Sequence, residues 1–255
     1  MNNKNLGENI SLLPLGNKAE IYVSKNHTFG TDAVLLANFS LPKKGSLAVD
    51  LGTGCGIIPA LWLRDNSLNQ AYGLEISNEA VCLANKTAEH NNWQKKMLII
   101  NGDIKNAFES LPRAEFDLVT CNPPYKAAGS GLLSRTETDK AARHETLCSL
   151  DDVIRAAAGL LRFGGRFCMC QRPERLSEIF SLMSQNKIEP KRLRLVCKTE
   201  GCRPWLVLVE GRRGGNIGLE ILPNLNIYKN SICKNHNGHM EYTQEMLAIY
   251  GAYKK

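Results

Sequence analysis

Residues 47–56 read Leu47-Ala48-Val49-Asp50-Leu51-Gly52-Thr53-Gly54-Cys55-Gly56, an apolar run that ends in an acid and three glycines at alternate positions. The run has the length and apolar character of a buried strand, and the stretch from Ile57 to Arg64 suits a helix behind it. Glycines between strand and helix let the backbone turn sharply and approach a ligand closely, at a place where the helix N-terminus adds free N–H groups. Dinucleotide sites favour G-x-G-x-x-G, whereas the spacing here is G-x-G-x-G with Asp50 two residues ahead. A carboxylate so near the cradle disfavours a pyrophosphate and favours a ligand with an ammonium or sulfonium charge.

Outward from this unit, strand and helix alternate. Downstream, Ala71–Glu75, Met97–Ile100, Phe116–Cys121 and Arg166–Cys170 read as strands. Between them lie a helix capped by Ser77 and running to about Asn91, a short helix over Ile104–Leu111, and a helix opened by Ser149 with Asp152 and ended by Gly164-Gly165. Pro173 starts a further helix to about Gln185, and Arg192–Cys197 with Trp205–Glu210 form a last antiparallel pair. Upstream, Glu20–Val23 after Gly16-Asn17 predicts a hairpin, and Thr31 or Asp32 caps a helix through about Phe39. Such alternation implies right-handed crossovers and a mostly parallel sheet. The chain is expected to be one domain: hairpin and helix over 1–45, an α/β core over 46–213 and an extension over 214–255, loop-like until a helix at Tyr242–Tyr250.

Composition narrows the classes. With 255 residues, 43% hydrophobic and 22% charged, the chain can bury a sizeable core, which excludes wholesale disorder. The longest apolar run, Ile57–Leu63, is broken by Pro59 and falls short of the ~20 residues of a membrane span, and the polar opening lacks a signal-peptide core. Nine cysteines without any C-x-x-C pair suggest reduced thiols in a cytoplasmic protein, neither a disulfide framework nor a zinc site, so no metal and no membrane partner is expected. The net charge is +7, and Lys187–Arg213 holds eight basic residues against three acids, a patch suited to a polyanionic partner.

Two more acids sit where parallel strands end. Glu75 closes the second strand, where a carboxylate can accept both hydroxyls of a ribose. Asp103, in Asn101-Gly102-Asp103-Ile104, can accept from an adenine amine after the third. Asp50, Glu75 and Asp103 thus outline one crevice over residues 45–170, and the pattern resembles that of the class I S-adenosylmethionine-dependent methyltransferases. The resemblance implies a Rossmann-like α/β fold with a mostly parallel seven-stranded sheet, helices on both faces and S-adenosyl-L-methionine as cofactor. The cofactor set it implies is Asp50, Gly52, Gly54, Gly56, Glu75, Asp103, Ile104 and Asn122.

Asn122-Pro123-Pro124-Tyr125 follows the fourth strand and faces the same crevice. In the resembled enzymes this motif serves methylation of a planar amino group. Such an amine is a poor nucleophile because its lone pair is delocalised. The Asn122 side-chain oxygen and the Pro123 carbonyl can accept its two hydrogens and stabilise the charge that grows on nitrogen. Two prolines fix the carbonyl's direction, and Tyr125 offers a ring for stacking. Lys126–Arg143, with its glycines and Ser/Thr-rich turns, is expected to form a mobile flap.

The likeness narrows further to the bacterial N6-adenine methyltransferases of valine tRNA. It is carried by Thr28-Phe29-Gly30-Thr31-Asp32-Ala33-Val34-Leu35-Leu36, the cradle, Asn122–Tyr125, Ala142-Arg143-His144-Glu145 and Gly211-Arg212-Arg213-Gly214-Gly215. It implies methylation of adenine 37 in tRNA by a cytoplasmic enzyme, expected to be a monomer. Phe29, Gly30 and Asp32 would close over the methionine end of the cofactor. RNA contacts would fall to Arg143, His144, Lys191, Arg192, Arg194, Arg203, Arg212 and Arg213. Rival readings are glutamine N5-methylation of release factors, ribosomal-RNA guanine N2 or DNA adenine methylation, and a catalytically silent cofactor-binding protein that binds RNA. The short segment before Asp50 counts against the first, the want of a visible target-recognition domain against a DNA enzyme, and the intact Asn122 and Tyr125 against the last.

Overall fold

The strand that runs into the glycine turn, β3 (Ser46–Leu51), is paired in parallel on both edges, with β4 (Leu68–Glu75) and with β6 (Phe116–Cys121). In this computed structural model, which describes residues 10–65, 68–123, 148–229 and 240–251, β5 (Met97–Asn101) continues the sheet beyond β4 and β7 (Leu161–Gln171) beyond β6. Beyond β7 lie β9 (Leu206–Arg213), antiparallel to it, and then β8 (Ile188–Cys197), antiparallel to β9. The full order is β10–β8–β9–β7–β6–β3–β4–β5, where β10 (Glu220–Ile221) and β11 (Leu225–Asn226) both run parallel along β8. The expected seven strands are all there, but the sheet has nine. The two extra strands have two residues each, too short for the alternation that marks a strand in sequence.

Alternate side chains of each strand feed two cores. Ala48, Leu118, Cys168 and Cys170 face one layer, with α1 (Thr31–Ser40), α2 (Ile57–Arg64), α3 (Asn78–His90) and α6 (Gln244–Gly251). Val49, Val119, Phe167 and Met169 face the other, with α4 (Leu150–Leu160) and α5 (Leu176–Gln185). No described helix is long and apolar enough to cross a membrane. The hairpin β1 (Ile10–Gly16) and β2 (Ala19–Ser24) forms its own two-stranded sheet. It is tied to α3, where Thr87 Oγ1 accepts from Tyr22 N and Asn91 Oδ1 accepts from Glu20 N, both at 3.0 Å.

Three helix ends differ from expectation: α5 starts at Leu176, after a 3₁₀ turn over Pro173–Arg175, and the ends of α1 and α4 differ in what caps or stops them. At α1 the N-cap is Gly30, and neither Thr31 nor Asp32 caps it. One carboxylate oxygen of Asp32 accepts from Ala33 N within the first turn, and the other is turned toward the end of β6. At α4 the Ser149–Asp152 capping box forms as read, but the helix stops at Leu160 and Gly164-Gly165 lie inside β7. There they serve a bulge: the β6–β7 register slips between Phe116 and Leu118, and a Cβ on Gly165 would lie 2.9 Å from the Phe116 carbonyl.

The chain lays down β3, β4 and β5 in one direction and then returns to place β6 on the far edge of β3. Between β3 and β6 the strand order therefore reverses, and the crossovers diverge to leave a crevice above the carboxyl ends of Leu51 and Cys121. Gly52 and Asn122 are the next residues after those ends.

Candidate functional site

Backbone and side chain together fix the glycine turn. Gly52 N and Thr53 N donate to the Leu74 carbonyl at 2.8 and 3.1 Å, which ties the turn to the top of β4. Gly54 N donates to Glu75 Oε2 and Ser77 N to Glu75 Oε1, each at 2.9 Å. The buried Glu75 carboxylate thus staples the turn to the start of α3 and has further lone pairs for a ligand. Gly52, Gly54 and Gly56 adopt φ of +69°, +57° and +82°, which L side chains rarely adopt. Gly56 does not line the crevice. It sits under it, where a Cβ would come within 2.4 Å of Met97 Cε and 3.0 Å of Ala84 Cβ, so its role is close packing of α2 on α3 and β5.

A cavity of about 330 Å³ opens above the turn, lined by Gly52, Gly54, Glu75, Asp103, Ile104, Asn122 and Pro123 among others. That volume lies at the low end for a small-molecule site. Asp103 Oδ1 accepts from Lys105 N at 3.0 Å, so this acid caps the 3₁₀ turn Ile104–Glu109 and faces the cavity as well. Asn26 and His27, for which the sequence carries no signal, complete one wall; His27 Nε2 lies 3.1 Å from Ser77 Oγ. They sit in a connection without motif or periodicity, so nothing local marks them.

Asn122 is held from two sides. Its Nδ2 donates to Asp32 Oδ2 at 3.2 Å, and its Oδ1 accepts from the Cys170 thiol at 3.0 Å. Asp32 Oδ1 also accepts from Ala33 N at 2.9 Å, and a Cβ on Gly30 would fall 2.6 Å from that oxygen, so Gly30 makes room for the carboxylate. Phe29 packs half-buried against the core, and Tyr250 Oη of α6 lies 2.8 Å from Thr31 Oγ1. Asp32 therefore orients the amide from the first turn of α1. Cys170 is likewise invisible to sequence reasoning, because 48 residues separate it from Asn122.

Asp50 lies below the cavity, 2% exposed, and its Oδ1 accepts from Thr120 Oγ1 at 2.7 Å. Burial pushes its carboxyl up to about 7, against the lowering by the Thr120 hydroxyl and with a smaller push from the Glu75 charge. The acid that reaches both the cradle and the cavity is Glu75, and Asp50 lies beneath them.

The basic residues do not form one face. Arg203 lies in the connection between β8 and β9, at the carboxyl end of β7 and hence the crevice end of the sheet. Arg212 pairs with Arg166 across β9 and β7, and Arg213 with Ile188, so these and Lys191 and Arg192 lie toward the opposite end. Arg194, between them, donates from Nε to the Pro223 carbonyl at 3.0 Å and pairs with Glu245 at 2.7 Å, holding the C-terminal segment. Pro124, Tyr125, the segment Lys126–Arg143 that was expected to form a flap, and His144 lie outside the described residues. Among the described residues no group of three or more His, Cys, Asp or Glu could hold a metal ion.

Known proteins resemble this chain in sequence and in fold. A tRNA1(Val) (adenine(37)-N6)-methyltransferase of Proteus mirabilis is 29% identical over 160 residues, 62% of each chain, so this chain spans about three fifths of that relative's length. In structure, a predicted O-methyltransferase of Agrobacterium tumefaciens superposes with a TM-score of 0.68 at 19% identity, over 87% of this chain and 96% of that one. A geranyl diphosphate C-methyltransferase of Streptomyces coelicolor, solved with Mg2+, geranyl diphosphate and S-adenosyl-L-homocysteine, has a TM-score of 0.53 at 12% identity, over 72% and 77%. These likenesses establish the class I methyltransferase fold. The methyltransferase small domain matches residues 13–185, well over half of the sequence, and the chain is a member of that family.

Proposed function

We propose that the protein methylates N6 of an adenine in tRNA, at position 37 of valine tRNA, with S-adenosylmethionine as donor. The observation that carries this reading is the Asn122 amide, held by Asp32 and Cys170 at the top of β6 and facing the cavity that Glu75 and Asp103 also line.

The cavity residues suit the cofactor. Glu75 has lone pairs left over from its two backbone donors for the ribose hydroxyls, and Asp103 can accept from the adenine amine while Ile104 packs against the ring. Gly52 and Gly54 leave the backbone bare where the methionine portion approaches. When bound, S-adenosylmethionine supplies an electrophilic methyl on sulfonium sulfur. The chain's own part is to position and polarise the amine. Asn122 Oδ1 and the Pro123 carbonyl accept the two amino hydrogens, drawing the lone pair toward nitrogen and stabilising the positive charge that grows there. Asp32 matters because it accepts one Nδ2 hydrogen and so fixes how the amide is turned, while Oδ1, which accepts from the Cys170 thiol, keeps a second lone pair for the substrate. An adenine stacked in RNA cannot reach this cavity, so it enters unstacked from a loop, as the anticodon loop allows. The protein acts as a monomer in the cytoplasm, where its tRNA is found.

The test is methyl transfer from labelled cofactor to unmodified valine tRNA, followed by nuclease mapping of the product. One N6-methyladenosine at position 37 is expected. Asn122→Ala should lower turnover by about 10²–10³-fold, the usual effect of removing one charge-stabilising group, while cofactor binding stays measurable. Full turnover in that variant, or methyl appearing on a release-factor glutamine and on no tRNA, would overturn the reading.

A further inference from the structure

A second cavity, of about 320 Å³, lies toward the other end of the sheet and is lined by Lys43, Arg166, Lys191, Arg192 and Arg212, opposed by Glu210 and Glu220. β7, β8 and β9 each contribute a cation, and Lys43 comes from the connection after α1. From Arg166 to Gln171, at the crevice end of β7, is five residues, or about 17 Å of strand. The pocket is thus separate from the cofactor cavity and shares no lining residue with it.

Its cations are oriented more than they are neutralised. Arg166 Nη2 donates to the Ser40 and Leu41 carbonyls, both at 3.0 Å, and Arg192 Nη2 to that of Phe39 at 3.1 Å, with the guanidinium 4.7 Å from the Phe39 ring centre. Arg212 Nε donates to Gly164 O at 3.0 Å and Lys191 Nζ to Asn216 O at 3.1 Å. Backbone carbonyls fix direction without cancelling charge. The buried Glu210 carboxylate is shared, accepting from Arg166 at 3.0 Å and from Arg192 at 2.6 Å, so one negative charge serves two guanidiniums. Five cations against two carboxylates leave an excess of three. A pre-ordered set of donors with surplus positive charge matches a group with several anionic oxygens.

We propose that this pocket binds a phosphate of the RNA backbone, at a distance from the methylated base, so that the substrate lies along the length of the sheet. Phosphate chemistry follows from the pocket alone, whereas its source in RNA rests on the tRNA reading above.

The experiment uses the full chain and the double variant Lys43→Ala with Lys191→Ala, both at the open rim, with unchanged cofactor affinity as the control for folding. In the first arm, tRNA affinity is measured against salt concentration. The variant should bind more weakly, with the slope of log K against log[salt] smaller in magnitude by about 1, as for one lost phosphate contact. In the second arm, inorganic phosphate should raise the melting temperature of the wild type and not of the variant. A wild-type salt slope in the variant overturns the RNA assignment, and if phosphate still shifts only the wild type, the pocket serves a free phosphate compound. Equal shifts in both proteins overturn the pocket itself. A wild type that binds no tRNA refutes the tRNA reading, while the phosphate arm still decides the pocket.

Discussion

Replacing Glu75 by glutamine isolates the staple that holds the glycine turn. The two carboxylate oxygens accept from Gly54 N and Ser77 N at 2.9 Å each. A glutamine of the same shape offers one oxygen and one NH₂, so whichever way the amide is turned, a donor faces a backbone donor. Hydrogen bonds to charged groups contribute about 1.5–3 kcal/mol, and a neutral bond about half that. One bond is lost and the other weakened, so a net loss of about 3 kcal/mol of stability is expected. For a chain of this size that corresponds to a fall in melting temperature of about 6–12 °C. A second effect falls on the ligand: one of the two ribose hydroxyls loses its acceptor, which raises the Kd about 10–100-fold, at 1.36 kcal/mol per tenfold. Calorimetric unfolding measures the first, and titration with S-adenosylhomocysteine the second. Melting within 2 °C of wild type, on the scale of about 2–4 °C per kcal/mol, would refute the staple. An unchanged Kd would refute the ribose contact while leaving the staple intact.

Asp50→Asn tests the buried carboxyl by its pH signature. The carboxyl titrates near 3.9 in an unfolded chain and near 7 in the fold, so the folded state holds an extra proton between those values. Its contribution is therefore fully present at low pH and is lost as pH rises from about 4 to 7, by several kcal/mol at 1.36 kcal/mol per pKa unit. The asparagine variant lacks this term, so its stability relative to wild type should rise between pH 5 and 8 in urea titrations; a constant difference would contradict the assignment. Gly56→Ala should destabilise by about 2–4 kcal/mol, from the left-handed backbone at +82° and the contact with Ala84, the Met97 methyl being free to swing aside. An unchanged urea midpoint would show that the turn relaxes at no cost.

Features fixed by a few neighbouring residues are legible in the amino-acid order. The strand–turn–helix of residues 47–64, the Ser77 cap and the Ser149–Asp152 box depend on contacts within one or two turns of chain, and all three form as expected. The position of Glu75, Asp103 and Asn122 in one crevice follows from strands of matched length in parallel, since register then brings their ends level. Less legible are the bulge at Gly164-Gly165, where pairing with β6 outweighs the usual reading of glycines as a helix stop, and the strands β10 and β11, which exist only because β8 offers an edge.

Amino-acid order alone determined the sheet's parallel core, the glycine cradle and the identity of the amide at its rim, because periodicity and turn chemistry are local. Folding decided what touches that amide and how charge is distributed. Asp32, Asn122 and Cys170 meet from three separate segments. Asp50 is driven toward neutrality by burial that no local pattern reveals. Antiparallel pairing of β9 with β7 and β8 sends Arg203 to one end of the sheet and Arg212 to the other, although the two are close in sequence. Packing, desolvation and strand direction are properties of residues distant along the chain, so they came into being only with the tertiary structure.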